Sequence, residues 1–360
     1  MTDKGRGDSR ALVILEQQKR LVWPEIRKYL KNPKYPEKFE IPERYRREEE
    51  FHWDLTCEYP ERQGKYLRPS LVLLTCEAMG RERKKAVKTA AAMQISEEWL
   101  LIHDDIEDDS MMRRGKPALH RIFGKELAIN AGDMLHIIMW KVLMDNEKEL
   151  GREKTGELME EFYRMLSRTA VGQTVEIKWA RENRQQFSDE DWFFIADGKT
   201  SYYTIAGPMR LGAIVAGATK KQINLLTEFG VELGRCFQLV DDILDVTSDF
   251  GGLKKQKGND VYEGKRTVIL GHLMRTCKGE DERRLKRVLA RSRSEKTEDE
   301  VRWVLEKMEE YGSIDYAKDM ARQLKERAYK KFAKGLKFLT SRPARDDLEV
   351  LIDFVLERRH

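Results

Sequence analysis

Two short acidic strings are the residues best suited to chemistry. Asp104-Asp105-Ile106-Glu107-Asp108 follows the apolar run Trp99-Leu100-Leu101-Ile102, and Asp241-Asp242-Ile243-Leu244-Asp245 follows Phe237-Gln238-Leu239-Val240. At 3.6 residues per helical turn, carboxylates at i and i+4 share a face, with the i+1 carboxylate beside them. Like charges at that spacing repel, so each cluster costs stability unless a cation sits among them. Carboxylate oxygens completed by water and phosphate are the set Mg²⁺ prefers. The expected metal ligands are therefore Asp104, Asp105, Asp108, Asp241, Asp242 and Asp245. A single acidic cluster reads more simply as a solvated helix face. Two of them, each set against apolar helix sequence where an unpaired charge is expensive, predict a metal bridge to a polyphosphate. Neither string has the sixth-position glycine or the spacing of an EF-hand calcium loop. His103, beside the first string, reads as a hydrogen-bonded helix residue rather than a ligand.

Helices must carry these strings. Seven of the nine prolines lie at or before Pro117, and only Pro208 and Pro343 follow. Between them the chain is rich in Leu, Ala, Glu, Lys and Arg with apolar residues at helical spacing, as in Leu127, Ala131, Met134, Leu135 and Ile138. No run of alternating β-branched residues flanked by turn signals occurs, so the fold class expected is all-α: one large helical bundle and a single domain over residues 1–360. Residues 31–60, with four prolines and the cluster RYRREEE, are expected to form a surface excursion. The 68 basic and 63 acidic residues leave a net charge of only +5, which gives no nucleic-acid footprint. The four cysteines form no CxxC pair and read as reduced thiols of a cytoplasmic protein. The N-terminal residues lack a signal peptide's apolar stretch, and no transmembrane segment is expected.

Several further strings, in order, resemble the trans-isoprenyl diphosphate synthases, or polyprenyl synthetases, of the archaeal geranylgeranyl/farnesyl type. They are Gly64-Lys65-Tyr66-Leu67-Arg68-Pro69, the first aspartate string running on to Arg113-Arg114-Gly115-Lys116-Pro117, Asn130-Ala131-Gly132-Asp133, Gly172-Gln173, Lys199-Thr200, FQLVDDILD at 237–245, and Lys257-Gly258-Asn259-Asp260 leading to Glu263-Gly264-Lys265. The resemblance covers essentially the whole chain. It implies a homodimer of helical subunits, each with a deep cavity between the aspartate strings. It also implies a reaction in which an allylic diphosphate (dimethylallyl, geranyl or farnesyl) ionises and its cation alkylates isopentenyl diphosphate. Mg²⁺, about three ions per active site, would assist the leaving group. By the same resemblance Arg113, Lys199 and Lys265 contact the allylic diphosphate, and Lys65, Arg68 and Arg114 bind isopentenyl diphosphate. Thr200 and Gln238 face the developing cation through oxygen dipoles. No protein base is required, since the released diphosphate takes the proton. Gly172-Gln173 and Asn130 to Asp133 read equally as packing between helices.

Three departures shape the reading. Where the family usually has His or Gln to help bind isopentenyl diphosphate, this chain has Glu97, which would repel a diphosphate unless paired with Lys65, Arg68 or another cation. Glu176 stands where aspartate is commoner, and the N-terminal part is longer than in many relatives. Product length in the family depends on bulk just ahead of the first string. Here Trp99 and Leu100 lie five and four residues before Asp104, with no insertion in the string, a pattern similar to that of geranylgeranyl-type enzymes. A twenty-carbon product is expected, farnesyl or longer chains being the alternatives; Trp99 as ordinary core is the plainer reading. A terpene cyclase would carry a different second metal string and lack GKxxRP, and squalene-type enzymes carry DxxxD. A catalytically silent regulatory subunit is the rival of another class, and Glu97 alone favours it.

Overall fold

The structure, a computed structural model, describes residues 3–31, 39–248 and 257–356, with side chains from Arg10 onward. It is built of helices. In chain order the main ones begin with α1 (Asp3–Lys31), α2 (Arg46–Glu61), α3 (Leu67–Ala78) and α4 (Val87–Glu107). A hairpin of β1 (Met112–Arg113) and β2 (Lys116–Pro117) follows, then α5 (Lys125–Met144), α6 (Arg152–Arg181), α7 (Asp189–Ala196) and α8 (Gly207–Ala216). The last are α9 (Lys220–Thr247), α10 (Asn259–Glu263), α11 (Val268–Thr276) and α12 (Ser313–Gly335), with shorter helices around them. Between α7 and α8 the residues Asp197–Ala206 wind as a π-helix, a local widening of the helical ladder that is rare and concentrated at functional sites.

The chain divides into two compact units. The first takes the chain to Glu161 together with Pro208–Thr219 and Leu339–Val350. Its core is the packing of α4 against α5, α3 and α1, with Ile14, Val22, Ile26, Leu73, Met93, Ile95, Leu135 and Met139 buried. Each such side chain contributes about 1.5–3 kcal/mol on leaving water. The second unit takes Phe162–Gly207, Lys220–Phe338 and the chain from Leu351. There α9 lies against the π-helix on one side and α12 on the other, where the Phe229 and Phe332 rings meet at 5.4 Å.

Three details differ from the sequence reading. RYRREEE does not loop out: Arg46–Glu61 is helical, because no proline falls between Pro42, just before this segment, and Pro60, in its last turn. Residues 32–38, within the expected excursion, lie outside the described residues. Pro24 sits inside α1, at the cost of one backbone hydrogen bond, so proline is not confined to helix ends here. The small hairpin exists because Arg114 (φ 49°) and Gly115 (φ 85°) both adopt left-handed backbone, the signature of a two-residue primed turn.

Helix α5 and the turn after it, Lys125–Leu150, contain an 18-residue window of mean hydropathy 1.3, apolar enough by composition to cross a membrane. One face of α5 is core, with Ala128, Ala131, Leu135, Ile138, Met139 and Val142 buried. The other leaves Leu127, Ile137 and Met144 exposed.

Candidate active site

In the first unit the acidic string ends α4, with Asp108 as its C-terminal cap. The three aspartates are not equivalent. Asp105 is buried, and the Arg113 guanidinium grips both its oxygens. The Tyr59 hydroxyl donates a further hydrogen bond at 2.5 Å and itself accepts from the Leu119 N–H at 3.1 Å. Asp104 lies on the half-buried side, 3.8 Å from Arg113. The hairpin register sends Arg113 to Asp105 and leaves Arg114, in the turn, to reach the preceding part of α4.

There Arg114 donates to the Glu98 carboxylate at 2.8 Å and to the Tyr59 carbonyl at 3.2 Å. Glu98 is buried, accepts also from Gln94 at 2.6 Å, and burial lifts its pKa to about 7 against the pull of Arg114. Glu97 is paired with two of the cations: one oxygen lies 3.2 Å from Arg68 and the other 3.7 Å from Arg114. Lys65 is exposed just ahead of α3. The glycine of GKxxRP has a steric reason, since a Cβ on Gly64 would stand 2.8 Å from the Arg114 guanidinium.

Farther along α4, Trp99 turns toward α5. Its ring centre is 4.7 Å from that of His136, whose Nε2 accepts from the Trp140 indole N–H at 3.0 Å, and 5.6 Å from that of His103. Leu100 is half-buried. His103 lies 3.4 Å from the Ile129 carbonyl and 3.6 Å from Asp133, so it behaves as the hydrogen-bonded helix residue expected. Gly132 makes room for that imidazole, which a Cβ would meet at 2.4 Å.

In the second unit one face of α9 explains the geometry. Gly230 and Gly234 let the π-helix approach to backbone contact: their Cβ atoms would fall 2.5 Å from the Ala206 Cα and 2.4 Å from the Ser201 Cα. The next residues on that face are Gln238 and Asp242. The Thr200 hydroxyl, carried on the π-helix, donates to Gln238 Oε1 at 2.7 Å, and Gln238 Nε2 donates to Asp242 at 2.7 Å. The Trp192 indole N–H, at 3.2 Å, occupies the other Asp242 oxygen. Asp242 is thus buried and held by protein donors; burial raises its pKa to about 7, and the neighbouring Asp241 adds to the shift.

Lys199 pairs with Glu176 at 2.5 Å, and Lys265 lies 2.5 Å from Glu263 and 3.8 Å from Asp260. Gly172 brings α6 against the chain at Gly198 and Lys199, where a Cβ would strike the Lys199 nitrogen at 2.6 Å; its role is packing that seats the lysine. Asp245 accepts from the Asp260 backbone N–H at 3.1 Å and anchors the turn into α10. Asp241, Asp242, Asp260, Lys199, Lys265, Thr200, Gln238 and Glu176 line a cavity of about 80 Å³.

Among the described residues no three His, Cys, Asp or Glu side chains converge to hold a metal by themselves. Two acids escaped the sequence reading. Glu98 follows Glu97 in a stretch of α4 that also holds Gln94 and Ser96, so nothing local marked it as the buried acid; Asp260 was visible only as part of a family string, and its burial depends on α9.

Comparison with known proteins identifies the family. Residues 54–308 match the polyprenyl synthetase family. The chain is 34% identical over 302 residues to a short chain isoprenyl diphosphate synthase of Methanothermobacter thermautotrophicus, covering 82% of this chain and 87% of that one. It is 30% identical to a geranylgeranyl diphosphate synthase of Sulfolobus acidocaldarius, with the same coverage. The fold is similar to the crystal structure of a geranylgeranyl pyrophosphate synthetase from Pyrococcus horikoshii, with a TM-score of 0.82, 27% identity, and 97% and 99% of the two chains covered. With more than half its length matched, and with carboxylates and cations gathered on helices as prenyl transfer needs, the chain belongs to the polyprenyl synthetase family of prenyl-transferring enzymes.

Proposed function

We propose that this enzyme condenses isopentenyl diphosphate with an allylic diphosphate, head to tail, and that its main product is geranylgeranyl diphosphate. The observation that carries this reading is the sorting of charge: each acidic string has one aspartate buried among protein donors and others on the less buried side, with cations beside them. Asp104 and Asp108 of the first string, and Asp241 and Asp245 of the second, would hold Mg²⁺. When bound, the metal neutralises the charge that builds on a departing diphosphate. Asp105 and Asp242 then serve to position their neighbours, Asp105 by fixing Arg113 and Asp242 by fixing Gln238.

In the second unit Lys199 and Lys265 would bind the allylic diphosphate, and in the first Lys65, Arg68 and Arg114 would bind the isopentenyl diphosphate. Gln238 Oε1 accepts only the Thr200 proton among the described hydrogen bonds. A carbonyl oxygen has a second lone pair to direct at a carbocation, at no cost of reorganisation during reaction. The relatives named geranylgeranyl diphosphate synthase support the twenty-carbon product, and Trp99 is the residue assigned to limit it. Four free thiols suit a cytoplasmic protein.

The exposed row Leu127, Ile137 and Met144 on α5 supports a homodimer that covers it. Sedimentation equilibrium checks this: a monomer at micromolar concentration rejects it.

Purified protein incubated with labelled isopentenyl diphosphate, Mg²⁺ and each of dimethylallyl, geranyl and farnesyl diphosphate is expected to give labelled geranylgeranyl diphosphate on chromatography. No elongation with any primer would sink the enzymatic reading in favour of a regulatory subunit.

A further inference from the structure

The pairing of Glu97 carries a consequence for affinity, and it rests on the proposed isopentenyl diphosphate site. Arg68 and Arg114 come from different elements, yet one carboxylate joins them: Glu97 places one oxygen 3.2 Å from the Arg68 guanidinium and the other 3.7 Å from that of Arg114. That is the position two guanidinium forks would give to a phosphate group. The far edge of Arg114 is fixed separately by buried Glu98, itself held by Gln94, and by the Tyr59 carbonyl. Arg114 therefore has its own anchor and does not need Glu97 to stay in place. Glu97, with a side chain 15% exposed, is the outer acid of the pair; Glu98, at 1%, is the inner one.

We infer that Glu97 acts as a resident substitute for a phosphate, a carboxylate that isopentenyl diphosphate must displace from Arg68 and Arg114 before it can bind. Glu97 is thus the residue that sets affinity for the second substrate. The charge balance makes the effect large. Lys65, Arg68 and Arg114 supply three positive charges, and Glu97 cancels one of them between Arg68 and Arg114. A dianionic ligand entering beside an ionised Glu97 meets like-charge repulsion in a half-buried place where screening is weak. Because each condensation consumes one isopentenyl diphosphate, the penalty recurs at every round of elongation.

The experiment compares wild-type enzyme with Glu97→Gln and with Glu97→His, the latter restoring a residue type usual in the family. Isopentenyl diphosphate is titrated into each by calorimetry, and the KM of each substrate is measured in turnover. Glu97→Gln is expected to bind isopentenyl diphosphate about tenfold more tightly, a change of about 1.4 kcal/mol, with the ratio of isopentenyl to allylic KM falling in step. Glu97→His should move the same way. A residue that merely propped the arginines would show the reverse, since its loss would weaken binding. Weaker or unchanged binding in both variants overturns the inference, as does no binding by any of the three proteins. Calorimetry needs no turnover, so an inactive wild type would refute the catalytic reading while the titrations still decided the role of Glu97.

Discussion

Asp104→Asn and Asp241→Asn should each lower prenyl transfer by about a thousandfold or more at saturating Mg²⁺ and substrates, without lowering the unfolding temperature. The first half follows from chemistry. An allylic diphosphate ionises only if the charge on the leaving group is neutralised, and loss of one element of such electrostatic stabilisation costs about 10²–10³ in rate even where no metal is involved. The second half follows from the helix. Asp104 and Asp108 are like charges one turn apart on α4, and Asp241 and Asp245 repeat this on α9. Removing one charge relieves repulsion worth a few tenths of a kcal/mol. For Asp104 that relief opposes the loss of a weak 3.8 Å approach to Arg113. Asp105→Asn should behave differently, because it breaks a buried pair with Arg113 and a hydrogen bond from Tyr59. It is expected to lose about 3–5 kcal/mol of stability, and its activity should fall along with its fold. Steady-state rates and thermal melts on the three variants test the distinction. Should Asp104→Asn and Asp241→Asn keep more than a tenth of the wild-type rate, the metal assignment fails.

That contrast between outer and inner aspartates also shows where the sequence stops being readable. The i, i+1, i+4 pattern is a local property of one helix, so both strings and the faces they occupy could be read directly. Which member points inward is decided by partners far away in the chain. Asp105 is claimed by Tyr59, 46 residues earlier, and Asp242 by Trp192, 50 residues earlier. The glycines divide in the same way: Gly64, Gly132 and Gly172 could be noticed as parts of strings, but only the fold shows that they clear space for Arg114, His103 and the chain at Lys199. The π-helix carrying Lys199 and Thr200 had no sequence signal in composition or period. It arises where Gly230 and Gly234 of α9 admit a backbone at contact distance, a packing effect that local propensity does not encode. Arg46–Glu61 was misread for the opposite reason: prolines at its edges and a charged run outweighed a proline-free interior long enough for a helix.

Trp99→Ala is expected to lengthen the product by at least one isoprene unit, while Trp99→Phe changes it little. The indole is wedged between α4 and α5, its face on His136 and its edge toward His103. His136 is itself fixed by the Trp140 N–H, and burial holds its pKa below the ordinary imidazole range, so the stack is uncharged where the indole meets it. An uncharged ring on a braced support is a stop that a growing hydrocarbon can press against without burying a charge. Truncating it to a methyl group removes the whole indole, and engineered cavities of roughly 150 Å³ in other protein cores stay dry and take up benzene. A five-carbon unit is of comparable size to benzene, and Leu100, next on the helix, is too far round to refill the space. The same truncation removes aromatic packing and should cost about 2–4 kcal/mol of stability, whichever role the ring has, so a lowered melting temperature decides nothing. Chain length decides it. With Trp99 as the stop, chromatography of dephosphorylated products shows longer prenyl alcohols in Trp99→Ala and a near wild-type pattern in Trp99→Phe, whose ring still covers the site. With Trp99 as ordinary core, the alanine variant is less stable but makes the same product as the wild type.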